Sequence, residues 1–451
     1  MKGFVPTPPK VVDLMVDRLF KGRPPTRQSN LLDPGCGHGA FIQGVLRWCL
    51  RNNAPCPKIV GIELDPDKLA QARIELKGQR NVTLRRADFL AMNLPRFNYI
   101  IGNPPYVPIE HITAEERALY RSSFETARGR LDLYLLFWER ALRLLDESGK
   151  LVFITPEKFT YVETARPLRK LLARAGIEQL QFAREDTFEG LTTYPTITTI
   201  CGNSSRTLVQ FRDGTHRRVR LPPDGNSWQS VINKSPRISG SRTLADLALR
   251  VSCGIATGAD KMFLFNAESL PANLARFSRP ALAGRELQIG QPLPKSRRVL
   301  VMPYSRHGEL LPLHSLGALS DYLHQHRVRE RLMERTCVKR KPWYSFHETP
   351  PLDMLLRPKL LCKDISSVPY FWIEPRGNVV PLHSTYYIVP RSEALLVPLA
   401  EFLNSREAVE WLHANCQRAA NGYLRLQSSI LKRLPIPDWV IDAVPPAAIA
   451  A

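Results

Sequence analysis

The stretch Ile100-Ile101-Gly102-Asn103-Pro104-Pro105-Tyr106-Val107 decides how this chain is read. The apolar run Phe97-Asn98-Tyr99-Ile100-Ile101 predicts a buried strand that stops at Gly102. Proline cannot donate to a sheet ladder, so Pro104 and Pro105 end the strand and impose a stiff, extended exit. Such an exit presents the Asn103 amide, the Pro104 carbonyl and the Tyr106 ring at the carboxyl edge of a sheet, where open α/β sheets take their ligands. Two acceptors, the Asn103 side-chain oxygen and the Pro104 carbonyl, can hold both hydrogens of a nucleobase amine and direct its lone pair at an electrophile. Tyr106 offers a stacking face for the base, a contact worth about 1–3 kcal/mol. An ordinary strand-ending turn with a buried tyrosine also fits these four residues, so the surroundings must decide.

Upstream, Asn30-Leu-Leu-Asp33-Pro-Gly35-Cys36-Gly37-His38-Gly39-Ala-Phe41 reads as a short strand, a glycine turn and a helix start. Glycines allow a ligand to approach the backbone, and the following helix N-terminus favours an anionic group. The spacing is Gly-x-Gly-x-Gly and an acid precedes it. Asp33 repels a pyrophosphate but can hold an ammonium, which favours a ligand with an amino-acid end. Lys58-Ile-Val-Gly-Ile-Glu63 is a second strand ending in an acid, and a carboxylate there typically grips ribose hydroxyls. Asp65 is expected to cap the next helix. A third strand, Val82–Leu84, leads to Asp88-Phe89, a carboxylate for an adenine amine beside a ring that packs on the base. At the N-terminus, Thr7 is expected to cap a helix whose first residue is Pro8.

The chain has 451 residues and a formal net charge of +21, which makes a polyanion the first partner to consider. Residues 201–451 carry net charge +14 and residues 1–200 carry +7, so the C-terminal half is the expected nucleic-acid surface. Its basic segments interleave with aromatics: Arg297-Arg298 in one, and Lys339-Arg340-Lys341-Pro-Trp343 in another, while Tyr322–Arg335 is expected to form one helix with arginines on a face. A solvated charged face explains each equally well. Eight scattered cysteines without a Cys-x-x-Cys pair predict a reducing, cytoplasmic compartment and no metal. The absence of a long apolar run predicts no membrane partner. Residues 205–245, rich in Arg, Pro, Gly and Ser, are expected to be a basic linker with a hairpin. It would separate a catalytic domain, 1–204, from a recognition domain, 246–451.

Taken together, Phe4–Met15, Asp33–Phe41, Glu63, Asp88-Phe89, Asn103–Tyr106 and Phe188 resemble the motifs of gamma-class, TaqI-like N6-adenine DNA methyltransferases of restriction–modification systems. The resemblance implies an α/β fold, a Rossmann-like S-adenosylmethionine-dependent methyltransferase domain, followed by a mixed α+β target-recognition domain. It implies that Thr7, Asp33, Gly35 and Gly37 hold the methionine end of S-adenosylmethionine, Glu63 its ribose, and Asp88 with Phe89 its adenine. Asn103, Pro104 and Pro105 would form the catalytic turn, and Tyr106 and Phe188 would stack on a flipped adenine. Pro6 stands where such enzymes often carry an acid. Double-stranded DNA is the implied substrate, a separately encoded restriction endonuclease the implied cognate partner, and a monomer the implied state. N4-cytosine methylation remains the nearest alternative, followed by rRNA or protein-glutamine methylation, and by DNA binding on a degenerate methyltransferase fold.

Overall fold

The computed structural model describes residues 6–183, 194–202, 204–419 and 423–445. The chain divides into two compact units, Met1–Lys234 and Ser235–Ala451. The first is built on a nine-stranded sheet with strand order β3-β2-β1-β4-β5-β7-β6-β8-β9. Its strands are β1 (Asn30–Asp33), β2 (Lys58–Glu63), β3 (Val82–Arg86), β4 (Phe97–Gly102), β5 (Leu145–Pro156), β6 (Ile177–Phe182), β7 (Pro195–Cys201), β8 (Thr207–Gln210) and β9 (His216–Val219). The first five run parallel, and β7 inserts antiparallel between β5 and β6. Order reverses between β1 and β4, which opens a crevice at their carboxyl ends. This is the Rossmann-like arrangement expected for the first half.

Helices α1 (Pro9–Phe20), α2 (Ala40–Arg51), α3 (Pro66–Glu75), α4 (Ala114–Ser123), α5 (Leu133–Leu144) and α6 (Arg166–Ala175) connect and cover the strands. Alternate residues of β4 and β5 enter opposite cores. Tyr99, Ile101, Val152 and Ile154 pack with Val12, Met15, Val16 and Leu19 of α1, whereas Ile100, Leu151 and Phe153 pack with Leu135, Leu136 and Trp138 of α5. Burial on both faces explains why these strands read as near-continuous apolar runs. Asp65 caps α3 as expected, accepting from the amides of Asp67 and Lys68. Helix α1 starts one residue later than expected: Pro8 is the cap residue, Pro9 the first helical one, and the cap makes no side-chain hydrogen bond.

Residues 205–234 contain the expected hairpin and belong to the first unit. The β8–β9 hairpin extends the sheet by pairing with β6. Val209, Val219, Trp228 and Ile232 are buried in the α5-side core. Arg169 of α6, fully buried, holds the return of this segment: Nε donates to the carbonyls of Gly225 and Asn226 at 2.8 and 3.0 Å, and Nη1 to those of Phe159 and Val162 at 2.8 and 2.7 Å. A composition rich in Arg, Pro and Gly concealed these few well-spaced apolar anchors.

The second unit is mixed α+β. One antiparallel sheet joins Ala248–Cys253, Thr385–Pro390, Lys359–Lys363 and Phe371–Glu374, and a mixed sheet joins Leu264–Asn266, Arg298–Val301, Ser278–Leu282 and Val380–Pro381. The predicted single helix over 322–335 is instead two helices, Ala318–His324 and His326–Met333, parted at extended Gln325. Leu319, Leu323, Val328 and Leu332 all enter one core. Leu323 and Val328 are five apart, about 140° out of phase on a continuous helix, so the chain must break for both to be buried.

Replacing Arg169 with leucine removes a charged donor from four carbonyls, two of them in buried hydrogen bonds and two in part-buried ones. We expect a loss of at least about 3 kcal/mol, since each orphaned buried group costs roughly 1–3 kcal/mol. Urea unfolding followed by tryptophan fluorescence reads this directly; an unchanged midpoint would mean that 225–234 docks without Arg169.

Candidate active site

The carboxyl ends of β1, β2 and β4 surround a cavity of about 520 Å³. Gly35, Glu63, Asp88, Phe89, Asn103 and Pro105, all singled out in the sequence, line it. The glycine turn is shaped by backbone bonds: the Cys36 amide donates to the Ile62 carbonyl at 2.9 Å and the Gly39 amide to the Cys36 carbonyl at 2.7 Å. Gly37 and Gly39 have φ of +51° and +86°, a region that side chains disfavour. Glu63 ties this turn to the end of β2. Its Oε2 accepts from the Gly37 amide at 2.9 Å and its Oε1 from the Asp65 amide at 2.8 Å. Each carboxylate oxygen has a second lone pair, so Glu63 can still accept from a diol.

Asp88 is fixed in the same way. Oδ1 accepts from the Leu90 amide at 2.9 Å, and Oδ2 from the Tyr120 phenol at 3.4 Å. Beside it Phe89 packs against Phe137 with ring centroids 5.0 Å apart. Asp33 does not line the cavity wall; it lies beneath it, fully buried, with neither carboxylate oxygen in a hydrogen bond among the described residues. A Cβ built on Gly102 would meet Asp33 Oδ1 at 3.2 Å, so the carboxylate abuts the strand end that leads into Asn103. Burial pushes the Asp33 carboxyl up to about 8; the Gly35 amide opposes the shift and Glu63 adds to it. A buried acid with little more than the Gly35 amide to support it, beside a glycine turn, fits a ligand that brings an ammonium group. With Glu63, Asp88 and the Phe89–Phe137 wall, the residues present fit a nucleoside bearing an amino-acid end.

Asn103 sits at the rim, and its Nδ2 donates to Thr7 Oγ1 at 3.1 Å. The hydroxyl expected to cap α1 therefore orients the Asn103 amide instead. Pro104 is buried and Pro105 lines the cavity. Tyr106 is held from below: its phenol donates to the Ile154 carbonyl at 3.3 Å and its ring meets the edge of Tyr134 at 6.1 Å. Burial raises its phenol well above the ordinary range. Phe188 lies outside the described residues. Tyr194, an aromatic six residues further on, has the Arg212 guanidinium 5.2 Å over its ring, and Arg212 is ion-paired with Glu157.

Sequence reading missed several participants. Tyr120, Phe137, Lys68 and His111 line the cavity, and they come from helices and loops whose local pattern reads only as core or surface. Asp132 is the clearest omission. Its Oδ1 accepts from the Val107 amide at 3.0 Å, while the Val107 carbonyl accepts from the Leu133 amide at 3.0 Å. This clamp fixes the chain just past Tyr106. Burial pushes the Asp132 carboxyl up to about 6, against the amides of Tyr134 and Val107 and the charge of Lys158. Its position ahead of an apolar helix was the available signal.

In the second unit the basic residues separate. Arg297, Lys339 and Arg340 are exposed. Arg298 is ion-paired with Glu286 at 2.5 Å, Lys341 donates to the His347 carbonyl and Thr349 hydroxyl, and Trp343 lies beneath Arg329 at 5.7 Å. Among the described residues no group of three or more His, Cys, Asp or Glu side chains could hold a metal ion, and no helix is long and apolar enough to cross a membrane.

Residues 59–188 match the family model described as Eco57I restriction-modification methylase. The chain is 26% identical to the type II methyltransferase M.PaeR7I of Pseudomonas aeruginosa, a match over 97% of this chain and 86% of that protein. It is also 26% identical to the type II methyltransferase M.XhoI of Xanthomonas vasicola, over 97% of this chain and 91% of that one. Among solved structures it is similar to the type IIL restriction–modification enzyme MmeI in complex with DNA. There the TM-score is 0.61 at 15% identity, and the match covers 96% of this chain and 63% of that one.

Asp33 supplies a test of the site's electrostatics. Its folded pKa, about 8, exceeds the unfolded value of 3.8, so the folded state binds more protons between those values and loses stability as pH rises through them. Asp33→Asn should therefore raise the melting temperature of the ligand-free protein at pH 8 and leave it nearly unchanged at pH 4. An equal gain at both would mean that Asp33 is not the proton-binding group.

Proposed function

Starting from a chain that carries an Eco57I-type restriction–modification methylase domain, we propose that it methylates the N6 amine of an adenine extruded from duplex DNA, using S-adenosylmethionine, within a restriction–modification system. The observation that carries the reading is the Asn103 amide, oriented by Thr7 at the rim of a cavity whose walls suit a nucleoside. When bound, S-adenosylmethionine supplies an electrophilic methyl group on a sulfonium. Asp33 and the Gly35–Gly37 turn would hold its amino-acid end, Glu63 its ribose hydroxyls, and Asp88 with Phe89 its adenine.

The target amine is a weak nucleophile because its lone pair is delocalised into the ring. With the amide nitrogen of Asn103 engaged by Thr7, Asn103 Oδ1 and the Pro104 carbonyl are the acceptors for the two amine hydrogens. Their pull moves the nitrogen towards tetrahedral geometry and points its lone pair into the cavity. Stacking on Tyr106 and on Phe188 would offset the few kcal/mol that base extrusion costs. Asp132, by holding Val107, keeps the turn from recoiling after the two prolines. Proximity and orientation then carry the rate, and no covalent intermediate with the protein is needed. The second unit would read the site, with phosphate contacts from exposed cations such as Lys339 and Arg340 making binding salt-dependent.

Labelled-methyl transfer to unmethylated duplex DNA, followed by nucleoside mass analysis, tests the reaction. N6-methyladenine is expected from the intact protein, and Asn103→Ala should lower its rate at least about 100-fold, the scale of a lost positioning contact, while cofactor affinity is kept. N4-methylcytosine would change the base and retain the mechanism; equal loss of transfer and cofactor binding in Asn103→Ala would refute the role given to Asn103.

For the second unit, Lys339→Ala/Arg340→Ala should weaken DNA binding alike on all sequences and lower the salt slope by about 2. Arg298→Ala, removing a cation already paired with Glu286, should change the slope less. Titrations from low to moderate salt separate these outcomes, and equal slopes in all three proteins would remove Lys339 and Arg340 from the interface.

A further inference from the structure

The sheet face covered by α1 carries a second cavity of about 200 Å³, sharing no lining residue with the first. Strand register builds its floor. Thr199 of β7 is opposite Gln179 of β6, Gln179 is opposite Leu208 of β8, and Leu208 is opposite Arg218 of β9. These four stand in one row; Lys150 of β5, opposite Cys201 two residues along β7 from Thr199, lines the cavity beside it, and so do Arg18 and Lys21 of the α1 terminus.

Four cations and one carboxylate, Glu178, therefore meet here. Lys150 accounts for the carboxylate: it is almost wholly buried, its Nζ lies 3.2 Å from Glu178 Oε2, and it donates to the Lys21 carbonyl at 3.2 Å. The charges of Arg18, Lys21 and Arg218 exceed it. Two donors at this cavity also lack acceptors. Arg18 donates through Nη2 to Gln181 and Gln210, but its Nη1 is buried with no hydrogen-bond partner among the described residues. The hydroxyl of Thr199, a residue 2% exposed, likewise has none. Buried donors are ordinarily satisfied, and a charged one left alone is costly. Burial lowers the Arg18 pKa only to about 10, so it stays charged at neutral pH.

A tetrahedral oxyanion presents acceptors in several directions at once and pairs well with guanidinium groups. We propose that this cavity is a binding site for a phosphate group, either inorganic phosphate or a small phosphate monoester, held by Arg18, Lys21, Arg218 and the Thr199 hydroxyl. The inference does not depend on the reaction assigned above. Its consequence does reach the other cavity, because α1 begins two residues after Thr7, whose hydroxyl orients Asn103. A bound phosphate would cross-link the far end of that helix to β7 and β9.

Isothermal titration of the full chain with sodium phosphate, against sodium chloride at matched ionic strength, tests the site. Saturable phosphate binding is expected, at least 10-fold weaker in Lys21→Ala/Arg218→Ala and several-fold weaker in Thr199→Val. Lys21 and Arg218 are exposed, so the double variant should keep the wild-type melting temperature without phosphate, which separates lost binding from lost fold. Ribose 5-phosphate binding more tightly than phosphate would identify a monoester as the ligand; equal or weaker binding would identify the free anion. Absence of saturable binding, or binding that the variants leave intact, would overturn the proposal.

Discussion

Strand β4 is buried on both faces and flanked by β1 and β5, so its backbone groups can be satisfied only by those two neighbours. That requirement ends abruptly at Gly102. Pro104 and Pro105 have no amide hydrogens to offer a ladder, and the chain must leave the sheet at the point where strand order reverses. The cavity, the Asn103 rim and the beneath-the-floor position of Asp33 all follow from where β4 stops. Gly102 also matters sterically, because any side chain there would press on the Asp33 carboxylate and the Pro34 ring.

Charge around this cavity is arranged in three grades. Glu63 is bound by two backbone amides, and Asp88 by an amide and a phenol. Asp33, fully buried with the Gly35 amide as its weaker support, is driven towards its neutral form. A ligand bringing positive charge to Asp33 would reverse that shift, whereas Glu63 and Asp88 are already shaped to accept from neutral hydroxyls and amines. Within one small site, burial and hydrogen bonding thus give three carboxylates different affinities for positive charge.

The second unit keeps some of its cations inside. Lys359 is buried against Glu374 at 2.7 Å, and Arg335 donates to the carbonyls of Leu332, Thr257 and Trp343. Lys359 is thus neutralised internally, and the guanidinium of Arg335 is tied to the protein's own carbonyls. Exposed cations such as Lys339 and Arg340, which make no comparable internal bonds, are the ones available to an external polyanion.

The sheet edge was legible in consecutive residues: apolar runs ending at Asp33, Glu63 and Gly102, a glycine turn, and two prolines placed the cavity and six of its lining residues. Those features are local, because a strand's end and a turn's chemistry are written in consecutive residues. The features that required the folded chain involve partners far apart in sequence. Thr7 turns from capping α1 to orienting Asn103, 96 positions away. Asp132 reaches back to Val107, the supposed linker completes the sheet through β8 and β9, and Arg298 is neutralised by Glu286. A side chain's nearest polar group in space is set by how the sheet stacks its strands, and no local pattern encodes that distance.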